Sequence, residues 1–322
     1  MKLYAKEDKP ILYLSGSSSG KEHEEALVKH GCKFRCYSFA YCSPKGFNYA
    51  SKMAEALQAS VDLGVGVMMD SSAASFHGLL RRRNVGKHSR HDIEKMRDSV
   101  IANYVDFVKD KQKNWDWYVT FDYTHDPTIC WEMQDYLQER DIEPVPVYHS
   151  GQTLDWFERY CKAGYKLIGI GGTVQRRGYT QTRMVLDRIF DIAEKYKVKT
   201  HGFGVTSLSL MLMYPWYSVD SASWVKIAAY GSVLHVDENR GIVCEMHFTD
   251  RNATGKTKYA HMQPELRREV ARGVEANGFK VKDLQTDSFS RCLYNVKVYT
   301  TKLHVLKELV ADGRAKWRSL LV

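Results

Sequence analysis

Short apolar runs rich in Val, Ile, Tyr and Phe recur along the chain, separated by longer stretches of helical periodicity. They fall at 10–16 (PILYLSG), 33–41 (KFRCYSFAY), 64–70 (GVGVMMD), 116–122 (DWYVTFD), 143–149 (EPVPVYH), 165–172 (YKLIGIGG), 198–205 (VKTHGFGV) and 217–222 (YSVDSA). Amphipathic segments precede most of them, among them 49–63, 93–112, 127–141, 153–164 and 182–196. Eight strands alternating with helices predict an α/β fold, a (β/α)8 barrel of the TIM type. The competing architecture is an open doubly wound sheet, which usually carries a phosphate loop after its first strand. The stretch SGSSSGKEHEE (15–25) stands there but has neither the GxxxxGK[ST] nor the GxGxxG spacing.

The pattern changes near residue 230. GSVLHVDENRGIVCEMHF (231–248) reads as a hairpin turning at DENRG, and PELRREVARGVEANG (264–278) as a basic amphipathic helix closed by a glycine. RCLYNVKVYTTKLHVLKELV (291–310) reads as a strand followed by a helix. The expected division is a barrel over 1–230 and a C-terminal α+β region over 231–322 that contacts nucleic acid.

At 322 residues and 44% hydrophobic content the chain suffices for one large core. No stretch approaches 18 uninterrupted apolar residues, and the start MKLYAKEDKPILYLSG is too charged for a secretory signal, so a cytoplasmic location is expected, in the host if the chain is phage-encoded. Seven scattered cysteines without a CxxC read as reduced thiols. Cys244 and His247 make a pair too small for a metal, and strand alternation puts them on opposite faces. The net charge of +9 and pI of about 9.0 favour a polyanionic partner. Basic runs at 79–91, 175–183, 264–273 and 313–319 are interleaved with aromatics, although charge runs are commonly just solvated faces.

Chemistry-bearing residues gather at the ends of the predicted strands: Asp70, Asp122, His149, Gly171 with Gly172, His201 with Gly202, and Asp220. Barrel enzymes keep their sites on that face. Each aspartate alone has a plain structural explanation as a helix cap or turn residue; MMDSSAAS and FDYTHDP are both suited to it. Three at one mouth, with a double glycine and histidines, point to a pocket.

The order MMDSSA, VTFD, VYHSG, IGIGG, HGFG, SVDS over 64–224 resembles the tRNA-guanine transglycosylase superfamily, and the end HGFG…YPWYSVDSASW is most similar to its DNA-acting branch. The resemblance implies exchange of guanine in nucleic acid for a free 7-deazaguanine such as preQ0 or preQ1, without a cofactor. It implies Asp220 as nucleophile and Asp70, with Ser71 beside it, as proton carrier. It further implies Asp122 on the guanine Watson–Crick edge, His149 where the family often has a glutamine, Gly171 and Gly172 as backbone donors to the base carbonyl, and His201 with Gly202 lining the base pocket. Arg81, Arg82, Arg83, Arg176 and Arg177, just past strand ends, are the expected phosphate contacts. The chain departs from the tRNA enzymes in two places: their zinc-binding quartet is absent, implying no metal, and SASW follows Asp220 where they have Pro-Thr-Arg. It also has Ala74 where they stack an aromatic, leaving Phe76 or Tyr123 for that task. The expected partner is therefore DNA, with tRNA as the alternative; a non-catalytic nucleic-acid-binding barrel and a metal-dependent barrel hydrolase are the other classes. A homodimer is compatible with the sequence, which does not fix the oligomeric state.

Overall fold

A computed structural model describes residues 10–16, 18–82, 90–122, 126–172, 178–237, 242–249, 257–311 and 316–318. The chain runs β1 (Ile11–Ser15), α1 (Lys21–Lys29), β2 (Phe34–Ser38), α2 (Phe39–Cys42), α3 (Ser51–Asp62), β3 (Gly66–Asp70), α4 (Ala73–Arg82), α5 (Arg90–Lys111) and β4 (Trp117–Tyr118). It continues through α6 (Pro127–Gln138), β5 (Val147–His149), α7 (Leu154–Lys162), β6 (Leu167–Gly171), α8 (Tyr179–Tyr196), β7 (Lys199–Gly202), α9 (Leu208–Met213), β8 (Ser218–Ser221) and α10 (Ser223–Ala229). The last part holds β9 (Ser232–Asp237), β10 (Ile242–His247), β11 (Thr257–Lys258), α11 (Pro264–Ala276), α12 (Val281–Thr286), α13 (Ser288–Ala311) and β12 (Lys316–Arg318).

Strands β1 to β8 form one parallel sheet in the order β4-β3-β2-β1-β8-β7-β6-β5. That order is cyclic, and a parallel bridge between Val119 and Val145 joins the remaining seam between β4 and β5. The fold is a (β/α)8 barrel. The interior is filled by Tyr13, Cys36, Met68, Trp117, Val147 and Leu167, while separate apolar layers lie between strands and helices. Two rings reach across the barrel: His201 of β7 meets Trp117 of β4 edge-on at 4.8 Å, and Tyr13 of β1 at 6.2 Å.

All eight predicted strands exist, shortened at their ends. The second is shorter than 33–41 because Phe39–Cys42 turns into a helix. A larger difference lies at 291–299. Alternating apolar residues there suggest a strand, yet the segment is the first half of α13. Arg291, Cys292, Tyr294, Asn295, Val296, Val298 and Tyr299 are all buried, so the helix is enclosed on nearly every side and shows no amphipathic period to read. Arg291 and Asn295 are satisfied by main-chain carbonyls of Ala228, Leu284 and Trp224, as buried polar groups must be.

The hairpin is present as antiparallel β9 and β10, and its turn lies outside the described residues. Glycine closes α11, as expected: Gly278 has φ +83°. Residues of 231–322 such as Leu234, Val243, Val270 and Val298 share one continuous apolar cluster with Leu14, Ile170 and Val219 of the barrel. The C-terminal region is thus packed onto the barrel's helical layer. All seven cysteines are free and buried. Among the described residues no helix is long and apolar enough to cross a membrane.

Candidate active site at the barrel mouth

Asp70 is the last residue of β3, and Asp220 the penultimate residue of β8. Asp122 follows β4 after the bridged Val119. Parallel strands in a barrel deliver their C-terminal ends to one mouth, so the three carboxylates converge although 150 positions separate the outer two. Asp126, close by in sequence, has a different role: it caps α6, accepting from the N–H groups of Thr128 and Ile129 with Pro127 in the first turn.

The environment of Asp70 shows how close the three lie. Burial raises its pKa to about 7, with further upward pushes from Asp122 and Asp220. The opposing hydrogen bonds come from the Ser72 N–H at 3.0 Å and the Ser38 hydroxyl at 3.5 Å. Ser72 holds a left-handed backbone at φ +68°, uncommon for a residue with a side chain. Its hydroxyl binds Ser38 Oγ and accepts from the Ala40 N–H, so the loop after β3 is tied to β2. The neighbouring Ser71 is fully buried, and its hydroxyl caps Ala73. The serines bonded to Asp70 are thus Ser72 and Ser38.

Asp220 is 8% exposed. Its Oδ1 accepts the Gly204 N–H at 2.7 Å and stands 3.5 Å from His201 Nε2. His201 is completely buried, and its Nδ1 is 2.9 Å from Ser218 Oγ. Asp122 Oδ2 is hydrogen-bonded to His149 Nε2. The His149 ring lies on Gly171, where an added Cβ would come 2.7 Å from Nδ1. A side chain at 171 would meet the imidazole, so the ring's place on β6 calls for glycine there. Gly172 has φ +71°, and its carbonyl accepts from Ser150 Oγ. Gly202 faces the apolar layer outside the strands: a Cβ there would strike Val205 and Trp216.

A cavity of about 510 Å³ opens at the mouth beside Asp70 and Asp220. Its walls include Cys36, Tyr41, Met53 and Phe203, none of which the sequence assigned to the site. The Cys36 thiol is held well above its usual pKa by burial and then by Asp220 and Asp70, which keeps it a neutral wall group. Phe76, a candidate stacking residue in the sequence, is core: it is 1% exposed and packs on Phe47 and Phe121. Tyr41 is 38% exposed and Phe203 is partly buried, so among the described residues that line the cavity these two are the aromatics available to a ligand. Arg81 and Arg82 end α4, with side chains outside the described residues; Arg83, Tyr123, Arg176 and Arg177 also lie outside them. Among the described residues no cluster of three or more His, Cys, Asp or Glu is arranged to hold a metal ion.

No family model and no curated protein matches the chain. Solved structures similar to it include tryptophan synthase from M. tuberculosis in an open form, at 12% identity and a TM-score of 0.40, covering 69% of this chain and 86% of that one. A protein from Aquifex aeolicus VF5 is similar at 13% identity and a TM-score of 0.38, covering 67% and 84%. A fructuronate-tagaturonate epimerase from Cohnella laeviribosi is similar at 12% identity and a TM-score of 0.30, covering 97% and 79%. The strand order and the mouth define the class: a (β/α)8 barrel with a carboxylate-lined pocket at its C-terminal end.

Proposed function

We propose that this barrel is a DNA-guanine transglycosylase, exchanging guanine in DNA for a free 7-deazaguanine by double displacement at C1′. The observation that carries the reading is the meeting of Asp70, Asp122 and Asp220 at one mouth, with Asp70 raised to about 7. Exchange at an anomeric carbon needs a nucleophile that traps an oxocarbenium-like state, and a separate group that moves a proton at neutral pH. Asp220 supplies the first. As Asp220 bonds to C1′, the C1′–N9 bond breaks and its electron pair stays on guanine, which takes the Asp70 proton. The incoming base returns a proton to Asp70 and attacks C1′, the ester C–O bond breaks, and the carboxylate is restored. Two displacements retain the configuration, and no cofactor enters the balance.

In this reading Asp122, hydrogen-bonded to His149, accepts from the N1–H and N2–H2 of guanine, groups that adenine lacks at those positions. Tyr41 and Phe203 supply stacking surface. Within a duplex the target nucleotide leaves the stack to reach such a pocket. The basic surplus of the chain supplies the attraction for phosphates.

The test is exchange of labelled preQ0 into guanine-containing DNA and into tRNA, by the wild type and by Asp220→Asn. Incorporation into DNA by the wild type alone is expected. Incorporation into tRNA alone overturns the choice of nucleic acid. Equal rates for wild type and Asp220→Asn overturn the nucleophile.

A further inference from the structure

His201 belongs to the same wall as Asp220 but touches no open space. It is 0% exposed, and Trp117, Phe203 and Tyr13 surround its ring edge-on. A histidine in that cage is costly unless its polar atoms have partners. Nδ1 has one, the Ser218 hydroxyl at 2.9 Å. Among the described residues Nε2 has no hydrogen-bond partner within bonding geometry, and it stands 3.5 Å from Asp220 Oδ1. The same oxygen already accepts the Gly204 N–H at 2.7 Å.

We propose that His201 is a positioning residue: neutral, with its proton on Nε2, it works with the Gly204 N–H to hold Oδ1 of Asp220 and leave Oδ2 as the atom that bonds to C1′. The Ser218 hydroxyl sets the tautomer by donating to Nδ1, so the only ring N–H is on the side of Asp220. Burial holds the pKa of His201 below that of a free histidine despite the nearby carboxylate, consistent with a neutral ring. When Asp220 becomes an ester through Oδ2, Oδ1 becomes its carbonyl oxygen. Both donors then strengthen their hold as the ester breaks and charge returns to Oδ1, which favours release by the incoming base. The 3.5 Å separation closes in that step.

The kinetic arm of this inference rests on the proposed base exchange; its spectroscopic arm does not. Gln at 201 places an amide donor near the position of Nε2, whereas Asn places one near Nδ1. His201→Gln is expected to retain exchange within a few-fold of wild type. His201→Asn is expected to lose roughly 10- to 100-fold in kcat, the range for a hydrogen bond to a charged group, with KM for the free base unchanged. A merely structural role predicts equal losses in both, and that outcome overturns the proposal. Independently, 15N-histidine NMR of the wild type at neutral pH should show His201 as the Nε2–H tautomer, with its Nε2 resonance shifted in Asp220→Asn. An Nδ1–H tautomer, or a resonance indifferent to Asp220→Asn, overturns the pairing even if no nucleic acid is modified. Exchange absent in the wild type with the expected tautomer and shift refutes the base-exchange reading and leaves the pairing standing.

Discussion

Two sets of buried acids stand on opposite sides of the same strands, and they are treated in opposite ways. Outside β2, Glu24 meets Arg35 through two 3.0 Å hydrogen bonds, both side chains at 0% exposure. Ser60 donates to Glu24 and the Leu14 carbonyl accepts from Arg35. Burial alone would raise the pKa of Glu24, but Arg35 and the hydrogen bonds bring it down to about 2. At the mouth, Asp70 has no cation among its hydrogen-bond partners in the described residues; burial, then Asp122 and Asp220, push it up to about 7. A compensated buried charge ties helices to strands; an uncompensated one marks a place where the fold tolerates electrostatic strain for chemistry.

The sharpest break in that comparison removes a charge from each side. Asp220→Asn should lower exchange by roughly four orders of magnitude, since the amide cannot form the covalent intermediate, while leaving the melting temperature near wild type. Single-turnover incorporation of labelled base reads the first quantity and calorimetry the second. Glu24→Ala should do the reverse. It strands Arg35 in an apolar layer and should cost about 3–5 kcal/mol of stability, with exchange per folded molecule unchanged. Denaturant unfolding measures it, and a cost under 1 kcal/mol would refute the contrast.

Proton linkage sharpens the comparison because the two acids have opposite signs. Glu24 is lowered from 4.5 to about 2, so its contribution is intact above about 4.5 and lost as pH falls toward 2. Asp70 is raised from 3.8 to about 7: between those values the unfolded chain releases a proton that the native chain keeps, so stability falls as pH rises through the window. Asp70→Asn should therefore be more stable than wild type at pH 8, by on the order of 1–3 kcal/mol, with no difference in slope below pH 4. In the proposed exchange, the guanine-release half-reaction should weaken as pH rises through about 7, because Asp70 then loses the proton assigned to guanine. A wild type and Asp70→Asn of equal stability from pH 4 to 8 would show that Asp70 is not strained.

Much of this site was legible in the chain, for a physical reason. Period-two alternation fixes which face a residue takes, and a strand's last residues fall at the barrel mouth, so Asp70 and Asp220 could be read from local pattern. Ser38 could not: it lies opposite Asp70 only through the register of β2 on β3, which no local signal encodes. The resemblance set Ser71 beside Asp70, but the N–H that reaches the carboxylate is that of Ser72, whose left-handed backbone no local pattern announces. Gly171 was identified as special, but the group that needs its space is the His149 ring. Tyr41 sits in α2, inside a run that alternates like a strand, so its place on the pocket wall was hidden by the wrong element. The outer ion pair was equally unreadable, since Glu24 and Arg35 resemble ordinary surface charges until α1 is laid on β2.

Tyr41 gives the smallest and most specific effect. It is the more exposed of the two aromatics on the pocket wall, so it adds little to the core and its removal should leave stability within about 0.5 kcal/mol of wild type. If it stacks on the base or on a neighbouring nucleotide, Tyr41→Ala should raise KM roughly tenfold, at the low end of base–aromatic stacking, and Tyr41→Phe should restore it because the π face remains. Phe76→Ala is the counterpart in the core. It should destabilise by about 3–5 kcal/mol and leave KM unchanged, any loss of folded protein appearing in the apparent kcat alone. Measuring both variants at a temperature where each is folded separates the pocket wall from the core. A KM unchanged in Tyr41→Ala would place the base on Phe203 alone, on the β7 side of Asp220.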